Sequence, residues 1–445
     1  MKRSIQSTPI RFPMKTAAAA LMLALGCGAA YAGGDDSEGF HGYFRAGVGS
    51  GSGAGGRQNC FGLGGNTMRY RLGNECDAYG EFFYTREVAK SDDGASFVAT
   101  VGLQEYTPNS TQNLGSEFGS APGNSGTTDV GGTGFHLHWI KAYMEAKNLP
   151  FLNGGTAWVG QRQYRRPDIH MLDLQYTNLN GTGAGVDRIK AGPGQFSYAV
   201  FKDNDSNVTD SNGVVTTSTA AWRQNFIYEG IPLNTDGTLD ILTTLINAKG
   251  TGTHNGYQAT LLHHQDKVLG GGNTVGLQYG VGPGTGIGIC CDRMGASGST
   301  ALGSDVKRLR VFDNLWIQPT PQFSAEMVAL WQRDKSNAGG STTWTTLGVR
   351  PVYAFSNHLK LQAELGTDRV TVPNGPALRL TKLTIAPTIT AGMGYWSRPE
   401  LRAFVTYGKW NDAATASVNA ANEAGAVFGS KTSGTSFGVQ LEAWF

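Results

Sequence analysis

The sequence has little charge and no concentration of charge of one sign. Asp, Glu, Lys and Arg make up 16% of its 445 residues, and the formal net charge at pH 7 is +2. A nucleic-acid partner would require a dense basic surface, so this composition argues against one. Beyond residue 32, no apolar run approaches the ~20 residues that a membrane-spanning helix needs, which excludes a helical membrane protein.

The N-terminus predicts export. Basic residues precede the apolar stretch AAAALMLALGCGAA, and Ala30–Ala32 form an A-x-A cleavage site. We therefore expect a signal peptide over residues 1–32. Either Met1 or Met14 can serve as the start, because a basic residue follows each of them closely.

Cysteine is scarce, and four cysteines remain beyond the predicted signal peptide. Export permits disulfides. Cys60 and Cys76 flank one short segment and are predicted to form a local bridge, whereas the neighbours Cys290 and Cys291 can form a vicinal disulfide or stay free. No histidine or second cysteine pair lies around them at zinc-like spacing. We predict no metal site and no cofactor.

Short segments of alternating polarity recur along the chain, separated by clusters of Gly, Asn, Ser and Asp. In HGYFRAGV, Tyr43 and Arg45 share one face, while Phe44 and Val48 share the other. The same alternation occurs in DAYGEFFY, ELRAFVTY and the terminal TSFGVQLEAWF. This period of two predicts strands with one apolar and one polar face. The chain is therefore predicted to be all-β.

The apolar strand faces can meet a second sheet, as in a soluble sandwich, or lipid, as in a transmembrane barrel. Few cysteines, strands that continue to the C-terminus, and Gly-rich connections such as 105–134 and 412–434 favour the barrel. At roughly 20 to 25 residues per strand and connection, the length fits about 16 to 20 antiparallel strands. No linker or repeat divides the chain, so residues 33–445 are predicted to form one barrel domain with a water-filled interior.

Several strings occur in a characteristic order: HGYFRAGVGSG, CFGLGGN and YRLGNECDAYGEF, then WVGQRQYRRPDIHMLDLQY with NGTGAG, then YWSRPELRAFVTYGKW, and finally QLEAWF. Together they resemble the maltoporin family of bacterial outer-membrane sugar channels. The resemblance implies an 18-stranded barrel embedded in the lipid of the Gram-negative outer membrane, assembled as a homotrimer, with a third loop folded inward to constrict the pore. It also implies facilitated diffusion of maltose and maltodextrins, with a periplasmic sugar-binding protein as a further partner.

The resemblance implies that four aromatic residues contact the sugar: Tyr43, Tyr79, Trp396 and Trp444. The matching polar residues beside them and at the constriction are Arg45, Arg71, Glu81, Arg166, Asp168, Asp173 and Gln175. Aromatic rings stack on the C–H faces of sugars, and charged groups exchange hydrogen bonds with the hydroxyls. Independently of the resemblance, alternation places Tyr43, Tyr79 and Trp444 on polar strand faces that would line the lumen.

Three positions depart from the family pattern. Gln175 stands where the family has the tyrosine that narrows the constriction, and the adjacent Tyr176 is predicted to lie on the opposite, apolar side. Gly272 replaces an expected aromatic residue, and Ile140, followed by Lys141, replaces an expected arginine. These departures predict weaker binding of long maltodextrins, a wider constriction or a different sugar.

Two alternatives stay open. The first is a porin for another sugar, such as sucrose or a β-glucoside, or a general porin. The second, more remote, is a secreted carbohydrate-active enzyme or lectin, which as a hydrolase would need two carboxyl groups facing each other across a cleft. The arginines near Asp168 and Asp173 are expected to hold both pKa values low, which suits neither residue as a general acid. We therefore predict no enzymatic activity.

Other aromatic and histidine residues are assigned structural roles. Trp158, Trp316, Tyr407 and Trp410 are interpreted as core or membrane-girdle residues, since most strand aromatics serve these purposes. His170 is interpreted as a structural loop residue, because no metal-ligand spacing surrounds it.

Overall fold

The computed structural model describes residues 38–63, 70–108, 136–203, 208–209, 215–217, 220–250, 252–288, 293–295, 298–422 and 426–445. The predicted signal peptide and the pair Cys290 and Cys291 lie outside these residues. Within the described ranges, no helix is both long and apolar enough to cross a membrane.

Eighteen strands form one antiparallel sheet. They are β1 (Gly39–Gly51), β2 (Asp77–Lys90), β3 (Ser96–Pro108), β4 (His136–Leu149), β5 (Gly155–Arg162), β6 (Gly181–Ala191), β7 (Gly194–Asp203), β8 (Ala221–Asn234), β9 (Gly237–Ala248), β10 (Gly256–Val268), β11 (Gly271–Val281), β12 (Lys307–Ile317), β13 (Phe323–Ser336), β14 (Gly340–Ser356), β15 (Leu359–Thr371), β16 (Leu378–Thr390), β17 (Glu400–Trp410) and β18 (Ser433–Trp444). β1 pairs with both β2 and β18, so the sheet closes on itself. The predicted 18-stranded antiparallel barrel is confirmed.

The connections contain little regular structure. Among the described residues they hold two short strand pairs, Asp168–Ile169 with Leu174–Gln175 and Val208–Thr209 with Val215–Thr217. They also hold one α-helix, α1 (Thr415–Ala420), and 3-10 turns at Ala54–Gly56, Pro150–Leu152, His170–Leu172, Gly282–Thr285 and Asp412–Ala414.

Apolar side chains face outward and charged side chains face inward, which is the reverse of the arrangement in a soluble protein. In β17, Leu401 and Val405 point outward and are 53% and 54% exposed, whereas the charged Arg402 points inward and is 2% exposed. In β18, Phe437 and Val439 also point outward. An apolar outer band with a polar interior is the arrangement of a barrel surrounded by lipid. The alternation of apolar and polar faces predicted for the terminal strand is therefore confirmed.

The two ends of the barrel differ in the length of their connections. Short turns such as 192–193, 235–236 and 269–270 lie at the end where β1 begins and β18 ends, which we call the short-turn end. Long connections lie at the other end. In bacterial outer-membrane barrels the short turns face the periplasm, so the short-turn end is the periplasmic one.

The third long connection, residues 163–180, folds into the barrel, and we call it the constriction loop. Its Leu172 and Leu174 are fully buried, and the ring of Tyr176 packs on Phe312 of β12 with centroids 4.6 Å apart. These apolar side chains fix one side of the loop against the barrel wall. The predicted inward-folded loop is confirmed, as is the prediction that Tyr176 lies away from the polar side.

The first long connection joins β1 to β2, and its described residues, 52–63 and 70–76, also reach inward. It carries the predicted disulfide between Cys60 and Cys76, whose Cα atoms are 6.1 Å apart. Its Tyr70 is buried against β15, where a Cβ atom at Gly366 would come within 2.0 Å of the ring. A glycine at this position is what allows the tyrosine to approach β15 so closely.

Candidate functional site

The four predicted aromatic residues form a row along one side of the interior. Tyr43 of β1 and Trp444 of β18 are directly opposite each other in the strand register. The ring centroids of Tyr43 and Tyr79 are 6.1 Å apart, and those of Trp444 and Trp396 are 6.3 Å apart. The row therefore descends from β2 through the β1–β18 seam to the turn that follows β16.

Trp396 reaches this row because its turn crosses the short-turn end. The turn 391–399 joins β16 to β17, but it is held by Gln318, in the turn after β12, and by Glu326 of β13. The amide of Tyr395 donates a hydrogen bond to Oε1 of Gln318 at 3.2 Å, and its hydroxyl donates one to Oε2 of Glu326 at 2.6 Å. These bonds anchor the turn beside β13 and position Trp396 inside the barrel.

The charged residues beside the upper part of the row are paired with each other. Arg166 of the constriction loop donates to both carboxylate oxygens of Glu81 on β2, at 2.7 and 2.6 Å. The hydroxyl of Tyr79 also donates to Glu81. This bidentate pair ties the constriction loop to the strand that carries Tyr79.

A second group of charges lies beside the middle of the row. Arg45 donates to both oxygens of Asp77, at 2.8 and 3.0 Å, and to Asp173 of the constriction loop at 3.1 Å. Glu75 lies 3.1 Å from Arg45 and 2.5 Å from Arg71. The side chain of Asp173 is 44% exposed, although its partner Arg45 is buried. Asp173 therefore presents a carboxylate to the interior while Arg45 holds it in place.

The lowest charged group is centred on Glu442, which alternation places on the polar face of β18 but which the sequence did not identify as a site residue. Its carboxylate is fully buried and accepts hydrogen bonds from Arg402, from Nε of Arg398 at 2.8 Å and from the Tyr43 hydroxyl at 3.1 Å. Nη2 of Arg71 lies at 3.1 Å. One carboxylate thus contacts three guanidinium groups.

Arg398 and His170 support the lower aromatic rings. The guanidinium of Arg398 lies 4.1 Å from the centroid of the Trp444 ring, a cation–π contact. The imidazole of His170 meets the rings of Trp396 and Trp444 edge-on, at 5.4 and 5.9 Å. The burial of His170 agrees with a structural role, and these contacts specify that role as holding the two tryptophans.

Asp168 and Gln175 face each other in the short strand pair of the constriction loop. Oε1 of Gln175 accepts a hydrogen bond from Asn178 at 3.0 Å. Burial raises the pKa of Asp168 to about 7, whereas at Asp173 the charge of Arg45 exceeds the effect of partial burial and holds the pKa below the ordinary value. The expectation that arginines keep both pKa values low is therefore right for Asp173 and wrong for Asp168.

A β-bulge lies at Ile140, the position where the family pattern has an arginine. The β3–β4 register passes from Gly102 opposite Lys141 to Leu103 opposite the residue before Ile140, so Ile140 is skipped. Lys141 turns inward and is buried, with Nζ 3.7 Å from the ring centroid of Phe83. Lys141 thus places a positive charge inside the barrel next to the position where an arginine was expected.

The four aromatic residues interpreted as core or girdle residues divide into two groups. Trp158 and Trp410 are buried against other aromatic rings, and Tyr407 points outward, as their interpretation as core and girdle residues requires. Trp316 differs, because its half-buried ring lies inside the barrel, 6.0 Å from the ring of Trp396. The sequence KRLRVFDNLWI already indicates this inward position, because alternation puts Trp316 on the same strand face as Arg308 and Arg310.

This arrangement offers aromatic faces in series, beside charged groups that are already paired with one another. Aromatic faces attract the C–H groups of a solute, and paired charges offer hydrogen bonds from fixed positions. Among the residues that the structure describes, no group of three or more His, Cys, Asp or Glu side chains could hold a metal ion. The geometry suits repeated weak contacts with a polyhydroxylated solute.

Comparison with known proteins gives matches over most of the chain. A family model described as LamB porin matches residues 39–445. Among solved structures, the chain is similar to OpdK of Pseudomonas aeruginosa with vanillate, with 12% identity, a TM-score of 0.47 and coverage of 91% of this chain and 97% of that one. It is also similar to OccAB1 of Acinetobacter baumannii, with 10% identity, a TM-score of 0.49 and coverage of 94% and 98%. Identities this low carry no information about the solute.

Proposed function

The chain belongs to the LamB porin family, and on this premise we propose that it is a channel selective for maltose and maltodextrins. It is a β-barrel of the Gram-negative outer membrane, and its family and fold are those of a channel rather than of an enzyme. The solute would pass by facilitated diffusion through each subunit of a homotrimer, toward a periplasmic sugar-binding protein.

The row of aromatic rings carries this proposal. Centroid spacings of 6.1 Å between Tyr43 and Tyr79 and 6.3 Å between Trp444 and Trp396 give a sugar chain successive surfaces to stack on. Conduction needs sites that are strong enough to admit the solute but weak and numerous enough to release it. A series of exchangeable stacking contacts meets both requirements.

The charged side chains would hold the hydroxyl groups while the rings hold the C–H faces. Arg398 covers one face of Trp444, so a sugar would stack on the opposite face. Asp173 is the most open carboxylate of this group, and its bond to Arg45 fixes its orientation. A hydroxyl that donates to Asp173 would therefore meet a preorganised acceptor.

A second candidate is a channel for another sugar, such as sucrose or a β-glucoside, or a general porin. The constriction favours it, because Gln175 offers an amide without a stacking face and is already bonded to Asn178. Tyr176 does not replace the missing ring, since it packs on Phe312 on the other side of the loop. A constriction without an aromatic residue would discriminate less strongly among sugars.

Conductance across planar lipid bilayers, titrated with a panel of sugars, tests the proposal. We expect maltotriose to block the current in a saturable way. Block by sucrose or a β-glucoside alone would favour the second candidate, and no block by any sugar would contradict a sugar-selective channel. Detergent-resistant, heat-modifiable trimers in the outer-membrane fraction would support the assembly, whereas a monomer there would contradict it.

A further inference from the structure

We propose that Trp316 is a solute-binding residue that extends the aromatic row past Trp396 on the short-turn side of the barrel. The inference rests on the proposed function, because it adds a stacking residue to the same path. Neither the family match nor the sequence pattern assigns a role in binding to this residue.

Trp316 is on the inner face of β12. Arg308, Arg310 and Phe312 share its side of the strand and are all buried at about 1% exposure. Trp316 itself is half-buried, so part of its ring surface stays accessible from the interior. A tryptophan of the membrane girdle would have the opposite parity, since outward residues of this strand, such as Val311, alternate with this set.

Gly272 of β11 lies directly opposite Trp316 in the register. A Cβ atom built on Gly272 would be 3.3 Å from Nε1 of Trp316, which is tighter than ordinary van der Waals contact. The indole therefore lies across the space that a side chain at position 272 would need. The aromatic group expected at position 272 is supplied by the neighbouring strand instead, and the glycine makes room for it.

The contact with Trp396 makes Trp316 a continuation of the row. Their ring centroids are 6.0 Å apart, close to the 6.3 Å between Trp396 and Trp444. The two ring planes meet at 79°, so the rings meet edge-on and their faces are not stacked against each other. A sugar chain that leaves Trp444 would meet Trp396 and then Trp316.

The test is the titration of current block by glucose oligomers from maltose to maltohexaose, for the wild type and Trp316→Ala. Losing one stacking contact should weaken block by the longest oligomers roughly two- to tenfold. Block by maltose should change little, because a disaccharide can occupy the other rings. Trp222→Ala is the matched control, since Trp222 points outward with 41% exposure. It should leave all constants unchanged.

Two further variants keep the test decisive. Trp316→Phe should retain block to within about twofold, since it keeps a ring at the same place. The double variant Trp316→Ala with Gly272→Phe should regain the lost affinity for long oligomers, because it returns the ring to the facing strand. Heat-modifiability of each variant monitors folding.

The outcomes separate the two proposals. A wild type that is blocked, with Trp316→Ala identical to it at every length, would overturn the role of Trp316 alone. Equal weakening at every oligomer length would also overturn it, because Trp316 would then act only by propping Trp396. A wild type that no oligomer blocks would overturn the proposed function and this inference together.

Discussion

The substitution Glu442→Gln tests the charged network beneath the aromatic row. Glu442 is fully buried, contacts Arg71, Arg398 and Arg402, and accepts a hydrogen bond from Tyr43. Glutamine keeps the size of the side chain and one acceptor oxygen but removes the charge. The variant would therefore leave three guanidinium groups with one carboxylate fewer.

The expected loss of stability follows from the partners that remain. Removing one member of a buried ion pair costs about 3 to 5 kcal/mol, and hydrogen bonds to charged groups contribute about 1.5 to 3 kcal/mol. Glu400 still lies 3.3 Å from Arg398 and 2.5 Å from Arg402, and Glu75 still lies 2.5 Å from Arg71. Because each arginine keeps one carboxylate, we expect a decrease in the free energy of unfolding of about 2 to 3 kcal/mol.

Urea unfolding of the refolded barrel, followed by tryptophan fluorescence, measures this change. Glu87→Gln is the matched control, because Glu87 is exposed on β2 and should change stability by less than about 0.5 kcal/mol. The reversal potential in a salt gradient should also shift toward anions for Glu442→Gln. If Glu442→Gln were as stable as Glu87→Gln and equally selective, Glu442 would not be the counter-charge of the three arginines.

Three more predictions concern the lumen and its loops. Trp444→Ala should weaken sugar block several-fold while trimers still assemble, as measured by bilayer titration and heat-modifiability; lost assembly with unchanged affinity in recovered trimers would disprove the lumen role. Because the pKa of Asp168 is raised to about 7, its carboxyl is neutral below that pH and charged above it, so cation selectivity should rise between pH 6 and pH 8 and Asp168→Asn should abolish the rise. Reduction of the bridge between Cys60 and Cys76 should lower the free energy of unfolding by about 3 kcal/mol in denaturant titrations; an unchanged midpoint would show that the loop is held by its packing alone.

The strands and their orientation were predictable because alternation is a local property. Arg402 and Tyr407 fall on opposite faces of β17, as their parity requires, and Tyr43 and Trp444 fall on the inner face for the same reason. Alternation also predicts that Trp316 lies on the inner face of its strand. A tryptophan near a strand end is commonly a girdle residue, but the parity of Trp316 places it inside, and the contact with Trp396 shows that its ring adjoins the row.

The rest of the site depends on contacts between segments that are distant in the sequence. Trp396 lies in a turn, where parity has no meaning, and its place depends on bonds from Tyr395 to Gln318 and Glu326, which are distant in the sequence. Arg398 and His170 likewise become part of the site only through barrel closure and the inward path of the constriction loop. The raised pKa of Asp168 follows from burial, which neighbouring arginines in the sequence do not reveal.

The length dependence of current block in the wild-type channel tests the central claim most directly. If aromatic rings in series bind a linear sugar, each added glucose unit engages one more ring until the row is filled. The equilibrium constant for block should therefore rise stepwise from maltose through about maltopentaose and then level off. Constants that are the same for every oligomer, or no block at all, would contradict an aromatic path for sugars.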